Sequence, residues 1–464
     1  MTLIKSISGF RGTIGGHTGD TLNPLDIVRS VTAYATLRAK HIEGDIQKKI
    51  VVGRDARISG EMVCHCVCGT LMGLGYDVVN IGLATTPTTE IAVTAEHAVG
   101  GIILTASHNP RQWNALKFLN ELGEFLPPVE AAEVVRLAAD ETTFEYADVD
   151  NLGSYEEKTG YDQYHIDMVK NLELVDVEAI KNAHFHVCLD TINSVGGVIL
   201  PQLLDQLGVT YKVLNGEPNG QFAHNPEPLR QNLNGICDEM KQNHYDIGFV
   251  CDPDVDRLAF IQEDGEMYGE EYTLVTCADW VLQHTKGNTV SNLSSTRALR
   301  DVTVKYGCEY HPSAVGEINV VLQMKSTNAV IGGEGNGGII YPAAHYGRDT
   351  LVGMALMLTY MAKSGKKPTE IKAQYPQYAI AKNRIDLQPT TDIDAILAEV
   401  KKEYANEKIT DIDGVKIDFP DEWVHLRKSN TEPIIRVYSE AHSMGAADAL
   451  GKKIIDVVQK MTNK

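Results

Sequence analysis

Three apolar runs near the amino terminus, each ended by a polar loop, constrain the fold more than any other feature. Lys49-Ile50-Val51-Val52-Gly53 stops at Arg54-Asp55, residues 76–81 form a second run, and Gly100-Gly101-Ile102-Ile103-Leu104 enters Thr105-Ala106-Ser107-His108-Asn109-Pro110. Between the first two, residues 60–74 carry a helical pattern that Gly75 is placed to end. Strand, helix and strand at this spacing predict βαβ units and a mainly parallel sheet, hence an α/β fold. The third run delivers Ser107 into a tight loop at a strand end, where a rigid sheet presents reactive groups. Taken alone, Ser-His-Asn-Pro reads as a polar turn. Its company further along the chain changes that reading.

The apolar run 247–250 leads into Cys251-Asp252-Pro253-Asp254-Val255-Asp256-Arg257. Alternating aspartates at the end of a buried strand gather three carboxylates, which attract a hard divalent cation. No EF-hand fits, because neither the required glycine nor a closing bidentate glutamate is present. Residues 329–340 read as strand, Gly-rich loop and strand, with Gly333-Glu334-Gly335-Asn336-Gly337-Gly338 between. With no helix following and no Gly-Lys-Ser/Thr, this is neither a P-loop nor a dinucleotide fingerprint. Glu334 offers two acceptor oxygens, and Asn336 both donates and accepts. Near the carboxyl end, Arg427-Lys428-Ser429-Asn430-Thr431-Glu432-Pro433 joins two strands, with Arg436 just beyond. Two cations beside hydroxyls and an amide predict an anion site.

A chain of 464 residues exceeds a single core and predicts three or four domains. The formal charge of −20 argues against a nucleic-acid partner and requires the cations for an anionic substrate to be concentrated in a cleft. There is no apolar leader and no run near the roughly 20 residues that span a bilayer, so neither secretion nor a membrane partner is expected. The longest candidate, 351–362, reads as a core or amphipathic helix. Among eight cysteines, Cys64-His65-Cys66-Val67-Cys68 lacks paired Cys-x-x-Cys zinc spacing. On a helix Cys64 and Cys68 share one face, and buried reduced thiols in a cytoplasmic protein are expected.

The four loops, in this order, resemble those of the α-D-phosphohexomutase superfamily, which includes phosphoglucomutases, phosphomannomutases and phosphoglucosamine mutases. The resemblance spans nearly all the chain and begins at Ser8-Gly9-Phe10-Arg11-Gly12. It implies three similar mixed α/β domains and a carboxy-terminal α+β domain around a central cleft. The expected spans are 1–153 with the serine loop, 154–256 with the Asp loop, 257–368 with the sugar loop and 369–464 with the phosphate loop. Ser107 is then the nucleophile or phosphoserine, with Lys117, Arg257, Arg11 and His108 in the catalytic set. One Mg²⁺ per chain is implied on Asp252, Asp254 and Asp256 together with Ser107. Glu334, Asn336 and Glu317 are implied to contact the sugar. Arg427, Ser429, Asn430, Thr431 and Arg436 are implied to hold the non-reacting phosphate. A sugar bisphosphate would act as activator, and a monomer or homodimer is expected.

Two departures from the family pattern bear on the substrate. Gly338 stands where the sugar loop usually ends in histidine. Val315-Gly316-Glu317 is similar to the Val-Gly-Asp of phosphoglucosamine mutases, where a carboxylate replaces another histidine. These departures favour glucosamine 6-phosphate and glucosamine 1-phosphate, with glucose and mannose phosphates as alternatives. A metal-dependent sugar-phosphate phosphatase and a non-catalytic sugar-phosphate-binding protein are the competing classes. Lys117 is expected to stabilise phosphoryl charge, and to assist proton transfer if its pKa is lowered.

Overall fold

The computed structural model describes residues 2–6, 9–388, 391–429 and 433–462. Its chain forms four sheets in succession. In the first, the order is Ile4–Ser6, Gly9–Thr13, Trp113–Leu119, Ala98–Leu104, Gln47–Arg54, Asp77–Leu83 and Tyr155–Glu157. The three apolar runs are parallel neighbours, as their βαβ spacing requires. Ala98–Leu104, however, is followed by an antiparallel return, Trp113–Leu119, which in turn pairs antiparallel with Gly9–Thr13. The expectation of a mainly parallel sheet is therefore corrected to a mixed one. An eight-residue loop is long enough to reverse the chain but too short for a crossover helix.

That arrangement repeats. In the second sheet, Ile247–Cys251 lies parallel to His186–Asp190 and returns antiparallel as Leu258–Ile261. In the third, Ile331–Glu334 lies parallel to Thr289–Asn292 and returns antiparallel as Gly338–Ile340. Each of the serine, aspartate and sugar loops thus occupies the reversal between a buried strand and its return. The fourth sheet is wholly antiparallel, and Ile393–Glu403 and Met444–Thr462 pack on it. The phosphate loop is its hairpin between Trp423–Lys428 and Ile434–Ala441.

Two elements lie across the expected domain limits. Tyr155–Glu157, just inside the span expected for the second domain, is a short strand on the edge of the first sheet, and the next helix is Tyr161–Lys170. Gly160, at φ 100°, breaks the chain between them. Leu258–Ile261 continues the second sheet beyond residue 256.

The helix Thr350–Ser364 is buried along its first three turns and belongs to one apolar core shared by the second and third units. Among the described residues, no helix is long and apolar enough to cross a membrane. The fourth unit keeps its own core and touches the third through polar contacts. Arg297 donates to the carbonyls of Pro420 and Glu422 at 3.0 and 2.9 Å, and Lys416 Nζ donates to Leu293 O at 2.8 Å. Cys64 and Cys68 do share a buried helix face, with sulfurs 3.7 Å apart.

Candidate active site

Ser107 adopts φ 47°, a left-handed conformation that side chains other than glycine adopt at a cost. The loop around it is fixed from beneath. The Ser107 N–H donates to Thr105 Oγ1 at 2.9 Å, and Thr105 Oγ1–H donates to Asp55 Oδ2 at 2.7 Å. Arg57, fully buried, holds Asp55 through Nε at 2.9 Å. Its other nitrogens reach the carbonyls of Ser107, Asn109, Pro110 and Trp113. One guanidinium thereby satisfies carbonyls that the strained turn leaves without sheet partners. Sequence reasoning missed Arg57; its signal was a second arginine three positions after Arg54, at the same strand end.

The Ser107 hydroxyl donates to Asp252 Oδ2 at 2.7 Å, which brings the first and second loops together across 145 residues. Asp252, Asp254 and Asp256 are buried with ligand oxygens within 4.8 Å of one another. Val255 between them is itself left-handed at φ 62°. Burial, then Asp256 and Asp254, push the Asp252 carboxyl well above its ordinary range. Asp254 Oδ1 and Asp256 Oδ1 are buried without hydrogen-bond partners. Oxygen donors only, clustered charge and orphaned lone pairs fit a hard divalent cation.

Lys117 Nζ lies 2.7 Å from Asp254 and 3.6 Å from Asp256. Burial pulls the ammonium down, but Asp254 and Asp256 outweigh it and raise its pKa above the ordinary lysine value. The shift runs opposite to the lowered pKa that proton transfer by Lys117 would need. His108 Nδ1 lies 3.5 Å from Ser107 Oγ. Arg257 and burial hold this histidine well below its usual value, so it is neutral.

Arg11 and Arg257 point into the same cleft, each with a buried Nε lacking a hydrogen-bond partner. Arg427 and Arg436 are directly opposite on adjacent strands. Like charges at that spacing repel unless an anion lies between or beside them. Together with Ser107, Lys117, Glu317, Glu334, Asn336 and Ser429, these arginines line one cleft of about 370 Å³. Asn430 and Thr431 lie outside the described residues. The charge concentration expected for so acidic a chain is thus present.

Glu334 Oε1 accepts from Asn292 Nδ2 at 2.7 Å and from Gly316 N–H at 3.1 Å. At Gly337, φ is 90° and a Cβ would come within 2.3 Å of Leu258 O, so only glycine fits where the sugar loop crosses the second sheet. Glu317 is turned toward Arg348, which bonds both its oxygens at 2.9 and 3.0 Å. Arg348 escaped the sequence reading. Gly347-Arg348-Asp349-Thr350 looks like a plain helix start, and Asp349 does cap Thr350–Ser364.

Models of all four domains of one family match in sequence order. Phosphoglucomutase/phosphomannomutase alpha/beta/alpha domains I, II and III match residues 4–145, 163–265 and 269–378, and the C-terminal domain matches 386–457. The chain belongs to this family. It is a phosphohexomutase, and so an isomerase, of four domains. A Thermococcus kodakarensis phosphoglucomutase/phosphomannomutase is 36% identical over 97% of this chain and 99% of its own. A Sulfurisphaera tokodaii phosphoglucosamine/phosphogalactosamine mutase is 30% identical over 99% of this chain and 100% of its own. In overall shape this phosphohexomutase resembles a Burkholderia thailandensis phosphoglucomutase/phosphomannomutase family protein at TM-score 0.84. The identity is 24%, covering 100% of this chain and 98% of that one.

Proposed function

We propose that the protein interconverts glucosamine 6-phosphate and glucosamine 1-phosphate through phosphorylated Ser107 and a sugar bisphosphate. The observation that carries the sugar choice is the pair Glu317 and Glu334 facing one cation, Arg348. Two carboxylates against one guanidinium leave a negative charge at the sugar rim, which suits a cationic 2-amino group.

Phosphorylated Ser107 gives its group to the free end of the bound sugar phosphate. The bisphosphate turns end over end, and Ser107 takes back the other phosphate. Lys117, Arg257 and Arg11 stabilise charge on the transferring group. Asp252, Asp254, Asp256 and the Ser107 oxygen would hold Mg²⁺, which when bound supplies neutralisation of the phosphoryl oxygens. Glu334 and Asn336 orient the sugar hydroxyls, and the walls of the cleft exclude water that would hydrolyse phosphoserine.

Arg427, Arg436 and Ser429 grip the phosphate that is not reacting, with Asn430 and Thr431 in the same loop. Arg427→Ala is expected to lose about 1.5–3 kcal/mol of phosphate recognition, seen as a roughly 10- to 100-fold rise in KM. Inhibition by glucosamine and by glucosamine 6-phosphate separates the cases, because only the phosphorylated sugar should lose affinity. Equal loss for both would remove Arg427 from the clamp.

A second reading, action on glucose and mannose phosphates, is favoured by Glu317 having both oxygens committed to Arg348 and by the Thermococcus relative's name. The expected result is a kcat/KM for glucosamine 6-phosphate above those for glucose and mannose 6-phosphates on one preparation. A clear preference for a neutral hexose would select the second reading. Steady release of inorganic phosphate, with no activation by bisphosphate, would mark a phosphatase instead.

A further inference from the structure

Arg348 is 8% exposed and binds three carboxylates from three parts of the chain. Nε donates to Glu317 Oε2 at 3.0 Å, Nη1 to Glu334 Oε2 at 3.0 Å and Nη2 to Asp256 Oδ2 at 2.5 Å. Its backbone N–H adds a bond to Glu317 Oε1 at 2.9 Å. One rigid fork therefore ties the aspartate loop to both loops at the sugar rim.

The position of this arginine is fixed from behind and permitted from in front. Its neighbour Asp349 caps the helix Thr350–Ser364, and Asp349 Oδ2 lies 2.7 Å from His165 Nε2 and 3.1 Å from His345 Nε2. In front, a Cβ on Gly338 would stand 2.2 Å from Arg348 Cδ and 3.0 Å from Cγ. A side chain at 338 and this arginine at 348 exclude each other, so the Gly338 departure opens the path that Arg348 fills.

We propose that Arg348 is the positioning residue of the sugar subsite, orienting Glu317 and Glu334 and locking them in register with Asp256, and that it thereby sets selectivity among hexose phosphates. The selectivity part rests on the mutase reading above. Deleting the guanidinium leaves Glu317 held by the backbone N–H of residue 348 alone and Glu334 by Asn292 and Gly316 alone, so the two carboxylates are no longer tied to each other or to Asp256. It also removes a cation that competes with a metal for Asp256.

The test measures Arg348→Lys and Arg348→Ala in two ways. Steady-state kinetics with glucosamine 6-phosphate and glucose 6-phosphate give kcat, KM and the ratio between sugars. Calorimetry on metal-stripped protein without substrate gives Mg²⁺ affinity. We expect kcat/KM to fall roughly 100-fold, as displaced positioning groups do, with the sugar ratio altered. Mg²⁺ should bind at least as tightly as to wild type. Lysine should rescue poorly, because a point charge cannot bridge three carboxylates. Loss of Mg²⁺ affinity together with equal losses on both sugars would overturn the proposal in favour of a merely structural role.

If Arg348→Ala does not fold, the lysine variant keeps the proposal measurable by the same kinetics and calorimetry. Where it folds, Gly338→His should lower the melting temperature less in the Arg348→Ala background than in wild type, since only that background has room for the ring. An equal cost in both backgrounds would contradict the mutual exclusion. Wild-type protein inactive on every hexose phosphate would overturn the mutase reading and the selectivity role with it. Active wild type with Arg348→Lys unchanged would overturn only the role of Arg348.

Discussion

Ser107→Ala is expected to abolish mutase turnover, a fall of at least about 10⁴-fold, while the protein stays folded. Removing a covalent nucleophile eliminates the pathway, and losses of this size are usual for such groups. Stability should change little. The Ser107 side chain makes a hydrogen bond to Asp252 and packs at the rim of a cleft, and one such bond contributes about 1 kcal/mol. The turn itself is held by Arg57 and Thr105, which the substitution leaves in place. Intact mass and phosphopeptide mapping of active wild-type protein should place one phosphoryl group on Ser107. Normal turnover in the alanine variant, or a phosphoryl group only at another residue, would sink the assignment.

Stripping the metal is expected to have the second-largest effect. Chelation should remove activity and lower the melting temperature, and Mg²⁺ should restore both. A ligand that binds only the folded state stabilises it by about 2.7 kcal/mol at one hundred times its Kd. Asp254→Asn should weaken Mg²⁺ binding and turnover together by roughly 100-fold or more, since even partners one step removed from a metal cost 10- to 100-fold. This variant also leaves Lys117 without its nearest carboxylate, 2.7 Å away. Breaking a buried pair costs about 3–5 kcal/mol, so melting must be followed alongside kinetics. Full activity of the folded variant after chelator treatment would remove the aspartate loop from the metal site.

Both predictions rest on loops that are legible in the amino-acid sequence. Each carries its chemistry in a few consecutive residues at the end of an apolar run, so residue type and strand pattern suffice to find it. The two strands flanking the phosphate loop, the helical nature of residues 60–74 and the shared face of Cys64 and Cys68 are legible for the same local reason. The edge strand Tyr155–Glu157 is not, because three exposed residues carry no periodic pattern and pair only once Asp77–Leu83 is in place. The direction of the Lys117 shift is hidden too, since it is set by carboxylates 137 and 139 positions away.

Residue type and strand pattern mark the candidate chemical residues and the order in which the loops follow. Tertiary structure alone decided how their charges are shared. Arg57 is an ordinary buried-loop arginine until the serine turn presents its bare carbonyls. Arg348 is a plain residue before a helix until Asp256, Glu317 and Glu334 close on it from 92, 31 and 14 positions away. A carboxylate's identity is local, but its partner is whatever cation the packed sheets bring within about 3 Å, and that distance is a property of the fold.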